Sequence, residues 1–299
     1  MSSYNPIAQN GSLQAYVYVL PAHAIEFPGA PETEPFKFSP TAFTLITTQH
    51  EAVLVDAPTT DSEGEELAEW VKSIISDKKL TYIYVTHGHG DHFFSAKVIQ
   101  KYYPEARVLA TPQTHIQMQA NLDQKLYEGL WAATTPELRN TSPPEIQVDI
   151  IKEDHSFVVD GHQFRVISLP GGDIGESTVL HVPSLDLVVA GDVVYGHCYQ
   201  HLGESSSPEL RNKWLRSIDL VSQLNPKVVV PSHMQAHEDF GPYHLEETKE
   251  YIKAWEELDA QTNTWQELEE AVKKRYPNRV GNFIIRMSSL VAKGAMELP

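Results

Sequence analysis

Short runs of β-branched and aromatic residues, set off by polar and Gly/Pro punctuation, predict strands over Tyr16–Leu20, Ala42–Thr48 and Glu51–Asp56. Between the first two lies Pro21–Pro40, whose prolines forbid regular structure; a long ordered loop of this kind often serves as a lid. Apolar residues Leu67, Trp70, Val71, Ile74 and Ile75 recur at helical spacing within Glu63–Ser76. Leu80–Thr86 reads as the next strand, Phe93–Tyr102 returns to a helical period, and Arg107–Ala110 is another short strand. Thr111 is placed to cap a helix that begins at Pro112. The Thr-Pro and Pro-Pro pairs of Asn121–Pro144 suggest a connector running over the surface.

The second half repeats the style. Gln147–Ile151, Ser156–Val159 and Gln163–Leu169 read as successive antiparallel strands, with Asp160-Gly161 as a turn. Strands follow at Ser177–Val182 and Leu187–Ala190, then a helix over Ser207–Leu224 and a buried strand at Lys227–Pro231. Tyr243–Arg275 is mostly amphipathic helix. Strands followed by helix, twice over, predict an α/β fold of two packed sheets with helices outside. We expect one domain over residues 1–299, with a core of about 13–255 and a C-terminal helical extension of about 256–299.

Charge narrows the partners. A formal net charge of −17 disfavours nucleic acid, which is bound by concentrated Lys and Arg, and equally an anionic membrane surface. A small-molecule substrate, neutral or cationic, fits better. The one cysteine, Cys198, forms no intrachain disulfide and reads as structural. Met1–Gly11 has neither the basic start nor the apolar core of a signal peptide, so a cytoplasmic location is expected. Serine-hydrolase, zincin and phosphate-loop motifs do not appear. Nothing in the sequence bears on oligomeric state.

The chemistry concentrates in His87-Gly88-His89-Gly90-Asp91-His92, directly after a predicted strand. Three imidazoles and a carboxylate within six residues converge only if the backbone turns sharply, which the interleaved glycines permit. Imidazole and carboxylate donors suit Zn²⁺, and Fe or Mn also accept them. In its residue order and its place between strand and helix, this cluster resembles the H-x-H-x-D-H motif of the metallo-β-lactamase superfamily. Two later motifs agree with the resemblance: Gly191-Asp192 at the end of Leu187–Ala190, and Ser232-His233 after Lys227–Pro231. The likeness spans roughly Tyr16 to Tyr251 and implies a four-layer αββα sandwich with two mixed sheets.

By that resemblance His87 and His89 belong to a first metal site, Asp91 and His92 to a second, with Asp192 bridging the two and His233 as the last ligand. The family usually adds a third His to the first site from a P-G-H-T-like turn. The matching turn here, Leu169 to Ser177, has Gly171 or Gly172 at that position. Asp173 or Glu176 replaces the missing ligand, or a single ion is held by Asp91, His92, Asp192 and His233. Tyr195, three residues after Asp192, is similar in spacing to a Tyr that hydrogen-bonds the substrate carbonyl in the family's acyl-homoserine lactonases. His197 and His201 lie nearby and read as surface or supporting residues.

The expected chemistry is hydrolysis: a metal lowers the pKa of water, and the hydroxide attacks an ester or amide carbonyl. Asp91 would orient the nucleophile and carry its proton to the leaving group. A cleft under the Phe27-to-Phe38 loop would suit a small lactone or lactam. The superfamily resemblance also admits an iron-dependent persulfide dioxygenase using glutathione, and a metal-poor binding protein that kept the fold and lost turnover.

Overall fold

The computed structural model describes residues 5–30, 34–151 and 156–298. The first four residues of the polar N-terminus and residues 31–33 of the expected loop lie outside the described residues.

Seven strands form the first sheet in chain order: β1 (Ala8–Asn10), β2 (Leu13–Leu20), β3 (Thr41–Thr47), β4 (Glu51–Val55), β5 (Lys79–Tyr84), β6 (Arg107–Ala110) and β7 (Val148–Ile150). Pairing is antiparallel from β1 to β4 and parallel from β4 to β7. The second sheet contains β8 (Ser156–Val159), β9 (His162–Leu169), β10 (Ser177–Val182), β11 (Leu187–Val189) and β12 (Val228–Val230), in the order β12-β11-β10-β9-β8. Only β11 and β12 run parallel within it.

The period-2 pattern assigns each strand face to a layer. On β3 and β4, Ile46, Val53 and Val55 face the other sheet, where they meet Phe164, Val166, Leu180 and Val189. Their neighbours Phe43, Leu45 and Leu54 face outward onto Leu67, Trp70 and Val71 of the helix Asp61–Ile75. On the far side Val179, Val188 and Val229 pack under Trp214, Trp255, Leu268 and Ile285 from four helices. The result is the αββα sandwich of two mixed sheets with helices outside. Among the described residues no helix is long and apolar enough to cross a membrane.

Several expectations need correction. Gln147–Ile151 is not the first of three antiparallel strands: β7 joins the first sheet, parallel to β6 in the register Val108↔Val148. Alternation alone cannot say which sheet a strand joins. The single helix expected over Tyr243–Arg275 is two, Tyr243–Gln261 and Trp265–Arg275. Thr264 ends the run by capping the second helix: its side chain accepts from Glu267 N, and Glu267 closes the reciprocal capping box. Residues beyond 256 also enter the core, because Leu268, Val272, Phe283 and Ile285 belong to the cluster covering the second sheet. Asn121–Pro144 is not a surface connector; it winds through helical turns that bury Tyr127, Trp131 and Leu138.

The expected lid is fastened rather than free. Ile25 N donates to Phe36 O and Phe38 N to His23 O, and Ile25, Phe36 and Phe38 are buried. Phe27 and Phe36 pack edge-on against Phe283.

Removing the Thr264 cap by Thr264→Ala should destabilise the protein by about 1 kcal/mol. A lowered urea midpoint with unchanged metal content is expected; an unchanged midpoint would reject the cap as the reason for the break.

Candidate metal centre

β5 ends at Tyr84 and delivers Thr86 and His87 to the edge of the sandwich, after which the chain turns tightly through a single 3-10 turn, Gly90–His92. The turn has no room for side chains at its glycines. A Cβ on Gly88 would come within 2.2 Å of the Gln117 side chain and 2.6 Å of its backbone. Gly191, which precedes Asp192, sits at φ +52°, and a Cβ there would meet Thr86 Oγ1 at 2.9 Å.

Each of the four central histidines has one ring nitrogen held from outside by a group that can only accept. His92 Nδ1 lies 3.0 Å from Asp56 Oδ2, His89 Nε2 lies 2.6 Å from Glu204 Oε2, and His233 Nδ1 lies 3.1 Å from Pro40 O. His87 Nδ1 lies 3.1 Å from Thr86 Oγ1, whose own proton goes to Asp56 Oδ2. The outer nitrogens are therefore N–H donors, and the inner nitrogens are left to a cation, either a proton or a metal ion.

The inner nitrogens face one another and three carboxylates. His87 Nε2 and His89 Nδ1 are 3.2 Å apart, and Asp173 Oδ2 is 3.0 Å from His89 Nδ1. Asp91 Oδ2 lies 3.3 Å from both His92 Nε2 and His233 Nε2. Asp192 places Oδ1 at 3.4 Å from His92 Nε2 and Oδ2 at 3.1 Å from His233 Nε2. His92 Nε2 and Asp192 Oδ1 are buried without a hydrogen-bond partner among the described residues. Buried acceptors converging in this way leave a need that a cation satisfies. A proton can serve two acceptors, whereas a divalent ion serves four or more.

The ligand atoms divide into adjoining sets. His87, His89 and Asp173 form one; Asp91, His92 and His233 form another; Asp192 joins His87 and His92 in a set between them. All the sequence-derived ligands are thus brought together. The electrostatics agree. Burial, with His92 adding to it, drives His87 well below its ordinary pKa. At His233 burial opposes protonation, but Asp192 and Asp91 outweigh it and carry the imidazole up to about 10. Asp173 is raised chiefly by burial, while Asp91 is held well below its usual range by His92 and His233 in spite of burial. The pocket favours positive charge, and imidazole with carboxylate suits Zn²⁺, Fe or Mn.

The turn that lacks the third His is occupied differently from its alternatives. Gly171 N donates to Ser217 Oγ, and a Cβ on Gly172 would meet Ser177 Oγ at 2.9 Å, so neither position directs a side chain inward. Glu176 is exposed and uses its main-chain carbonyl to accept from Gln117, which removes it as a replacement ligand. Asp173 is the residue of this turn that faces the histidines.

Tyr195 is buried beside the cluster, and its hydroxyl donates to Asp192 Oδ2 at 2.6 Å. Its single proton is therefore directed to Asp192, not toward a substrate. His197 points away, to Glu238 and Glu247, and Cys198 is buried. His201 does reach the cleft, near Glu204.

Two supporting residues escape a sequence reading. Asp56 follows β4 at φ +64°, and its carboxylate accepts from Thr86 N and Oγ1 as well as facing His92. Glu204 comes from the loop before the helix Pro208–Gln223. An Asp immediately after a strand was the available signal for the first; no local signal marks Glu204.

The centre floors a cleft. One wall comes from Leu126, Leu130 and Trp131, the other from Phe283, Ile284 and Met287, with Phe38 and Leu298 at the ends.

The family model of the metallo-beta-lactamase superfamily matches residues 37–233, a span that contains every candidate ligand named above. The metallo-beta-lactamase type 2 of Bacteroides fragilis is 24% identical over 239 residues, 75% of this chain and 80% of that protein. Among solved structures, a metallo-beta-lactamase family protein from Thermus thermophilus superposes with a TM-score of 0.63 at 19% identity, covering 92% of each chain. The metallo-beta-lactamase FIM-1 from Pseudomonas aeruginosa, solved in a mono-zinc form, gives 0.55 at 17% identity, covering 83% of this chain and 93% of that one.

Asp56→Ala should weaken zinc binding about 10- to 100-fold by releasing His92 from its outer partner. Chelator competition checks this, with circular dichroism confirming the fold; an affinity equal to that of the unaltered protein would reject the role.

Proposed function

The chain belongs to the metallo-beta-lactamase superfamily, and from that premise we propose that it is a metal-dependent hydrolase opening an ester or amide bond, in a small lactone or lactam. The observation that carries the reading is the convergence of four imidazole nitrogens and the carboxylates of Asp91, Asp173 and Asp192 at the floor of a cleft. His87, His89 and Asp173 would hold one ion, and Asp91, His92 and His233 a second, with Asp192 between them. Zinc is the expected metal, with Fe or Mn accepted by the same donors. When bound, a divalent ion supplies Lewis acidity and brings the pKa of water down to about 7.

The chain's own residues supply the rest. Asp91 lines the cleft, and its carboxylate lies at the junction of His92 and His233. From there it orients the attacking water, takes its proton and returns it to the leaving group. Tyr195 holds the Asp192 carboxylate in place through its short hydrogen bond. Burial, reinforced by Asp192, keeps its phenol pKa well above the ordinary value, so it stays a donor. Donation to a substrate carbonyl would require that bond to switch, so Tyr195 acts here as a positioning residue. The apolar walls exclude bulk water and strengthen every charge interaction at the floor.

Plasma mass spectrometry on protein purified without added metal should find about two equivalents per chain. Asp173→Ala should bring this toward one. Asp91→Ala should lower turnover by about 10²- to 10⁴-fold with the fold intact. Full turnover in that variant with metal retained would sink the assignment. A single Fe, with oxygen uptake on glutathione persulfide, would instead favour the dioxygenase.

A further inference from the structure

The cleft walls carry information that the metal centre does not. Among the described residues that line the cleft there is no Lys or Arg. The polar atoms of the first wall are satisfied internally: Trp131 Nε1 donates to Asn121 Oδ1 at 2.9 Å, and Thr134 Oγ1 to Leu130 O at 2.8 Å. On the second wall the one cation of the helix Asn282–Ala292 is Arg286, next to the lining residue Met287. Its guanidinium turns the other way, pairing with Glu269 and stacking 4.5 Å from the Trp265 ring and 4.9 Å from the Phe36 ring. Acid, by contrast, stands at the rim: Glu204 lines the cleft and is engaged by His89 and His201. A substituent lying between Leu130 or Trp131 and Phe283 or Met287 thus meets apolar surface and finds no partner for a negative charge.

We propose that this cleft selects uncharged esters or lactones carrying an aliphatic or aryl substituent, and rejects those whose substituent bears a carboxylate. The selection rests on the hydrolytic reading above and deepens it. In the reaction the oxygen of water bonds to the acyl carbon, and the acyl C–O bond breaks. The water proton passes by way of Asp91 to the leaving alkoxide, so a lactone yields its hydroxy acid with no change of oxidation state. Phe283, Ile284, Met287 and Leu298 lie beyond residue 233, where the family match ends, so this wall is set by the chain's own C-terminal part.

The test uses a matched pair: γ-decanolactone, and the lactone of the same length whose side chain ends in a carboxylate. On the metal-loaded protein kcat/KM should favour the neutral member by on the order of 100-fold. Leu298→Arg and Leu130→Arg place a cation at half-buried positions at one end and on one wall of the cleft. At least one should narrow the ratio about tenfold or more by raising the rate on the carboxylate. Equal rates on the two lactones, or a ratio that neither variant moves, would overturn the proposal. If the unaltered protein opens neither lactone, the hydrolytic reading fails separately, and calorimetry with the corresponding non-hydrolysable cyclic ethers decides the selection. Tighter binding of the neutral ether supports it; equal or tighter binding of the carboxylate overturns it.

Discussion

The centre depends on one constraint: the outer nitrogen of each histidine is held by an acceptor. An imidazole with a carboxylate, a carbonyl or an already-donating hydroxyl on one side must place its proton there, and its lone pair faces the other way. Asp56, Glu204, Pro40 O and Thr86 impose this on His92, His89, His233 and His87 in turn. These four partners come from four widely separated stretches of chain. Only a fold that brings the end of β4, the loop after Phe38, the end of β5 and the loop before Pro208 to one edge can set all four tautomers at once.

The sheets do this by register. Parallel pairing of β4 with β5 aligns Val55 with Tyr84, so that Asp56 and Thr86 emerge side by side at the same end. Parallel pairing of β11 with β12 aligns Val189 with Val230, so that Asp192 and His233 emerge together from the other sheet. The two sheets pack through Val53, Val55, Leu180 and Val189, which makes the distance between these two pairs a property of the core. A slip of two residues in either pairing would move a ligand by about 6 to 7 Å, well beyond metal-ligand reach. The left-handed backbone at Asp56 is held because its carboxylate makes three contacts in return.

This separates what a sequence can display from what it cannot. The candidate metal ligands were legible because they sit next to strand ends, where the chain's pattern changes from alternation to Gly and His. The layered fold was legible from the same alternation. Asp173 was favoured over Glu176 but not fixed by the sequence, because two carboxylates three residues apart in a turn differ only in which one the backbone directs inward. Glu204 and the walls of the cleft were hidden for a different reason. Their placement follows from how Asn121–Pro144 and the C-terminal helices pack against distant elements, and no local period encodes that. The break at Thr262–Thr264 shows a local signal passed over: a Thr followed three residues later by Glu is a helix start even inside a helical run.

The walls and the floor are also energetically distinct. The floor tolerates little change, since each ligand shares an acceptor, a partner or a backbone contact with the next, and loss of one leaves buried charge unbalanced. The walls are built from apolar side chains whose contacts are non-directional, so residues of similar volume can replace one another at modest cost. A substrate preference set by Leu130, Trp131, Phe283 and Met287 can therefore shift while the metal centre stays the same. That division lets the lining of the cleft change without disturbing the residues that converge at its floor.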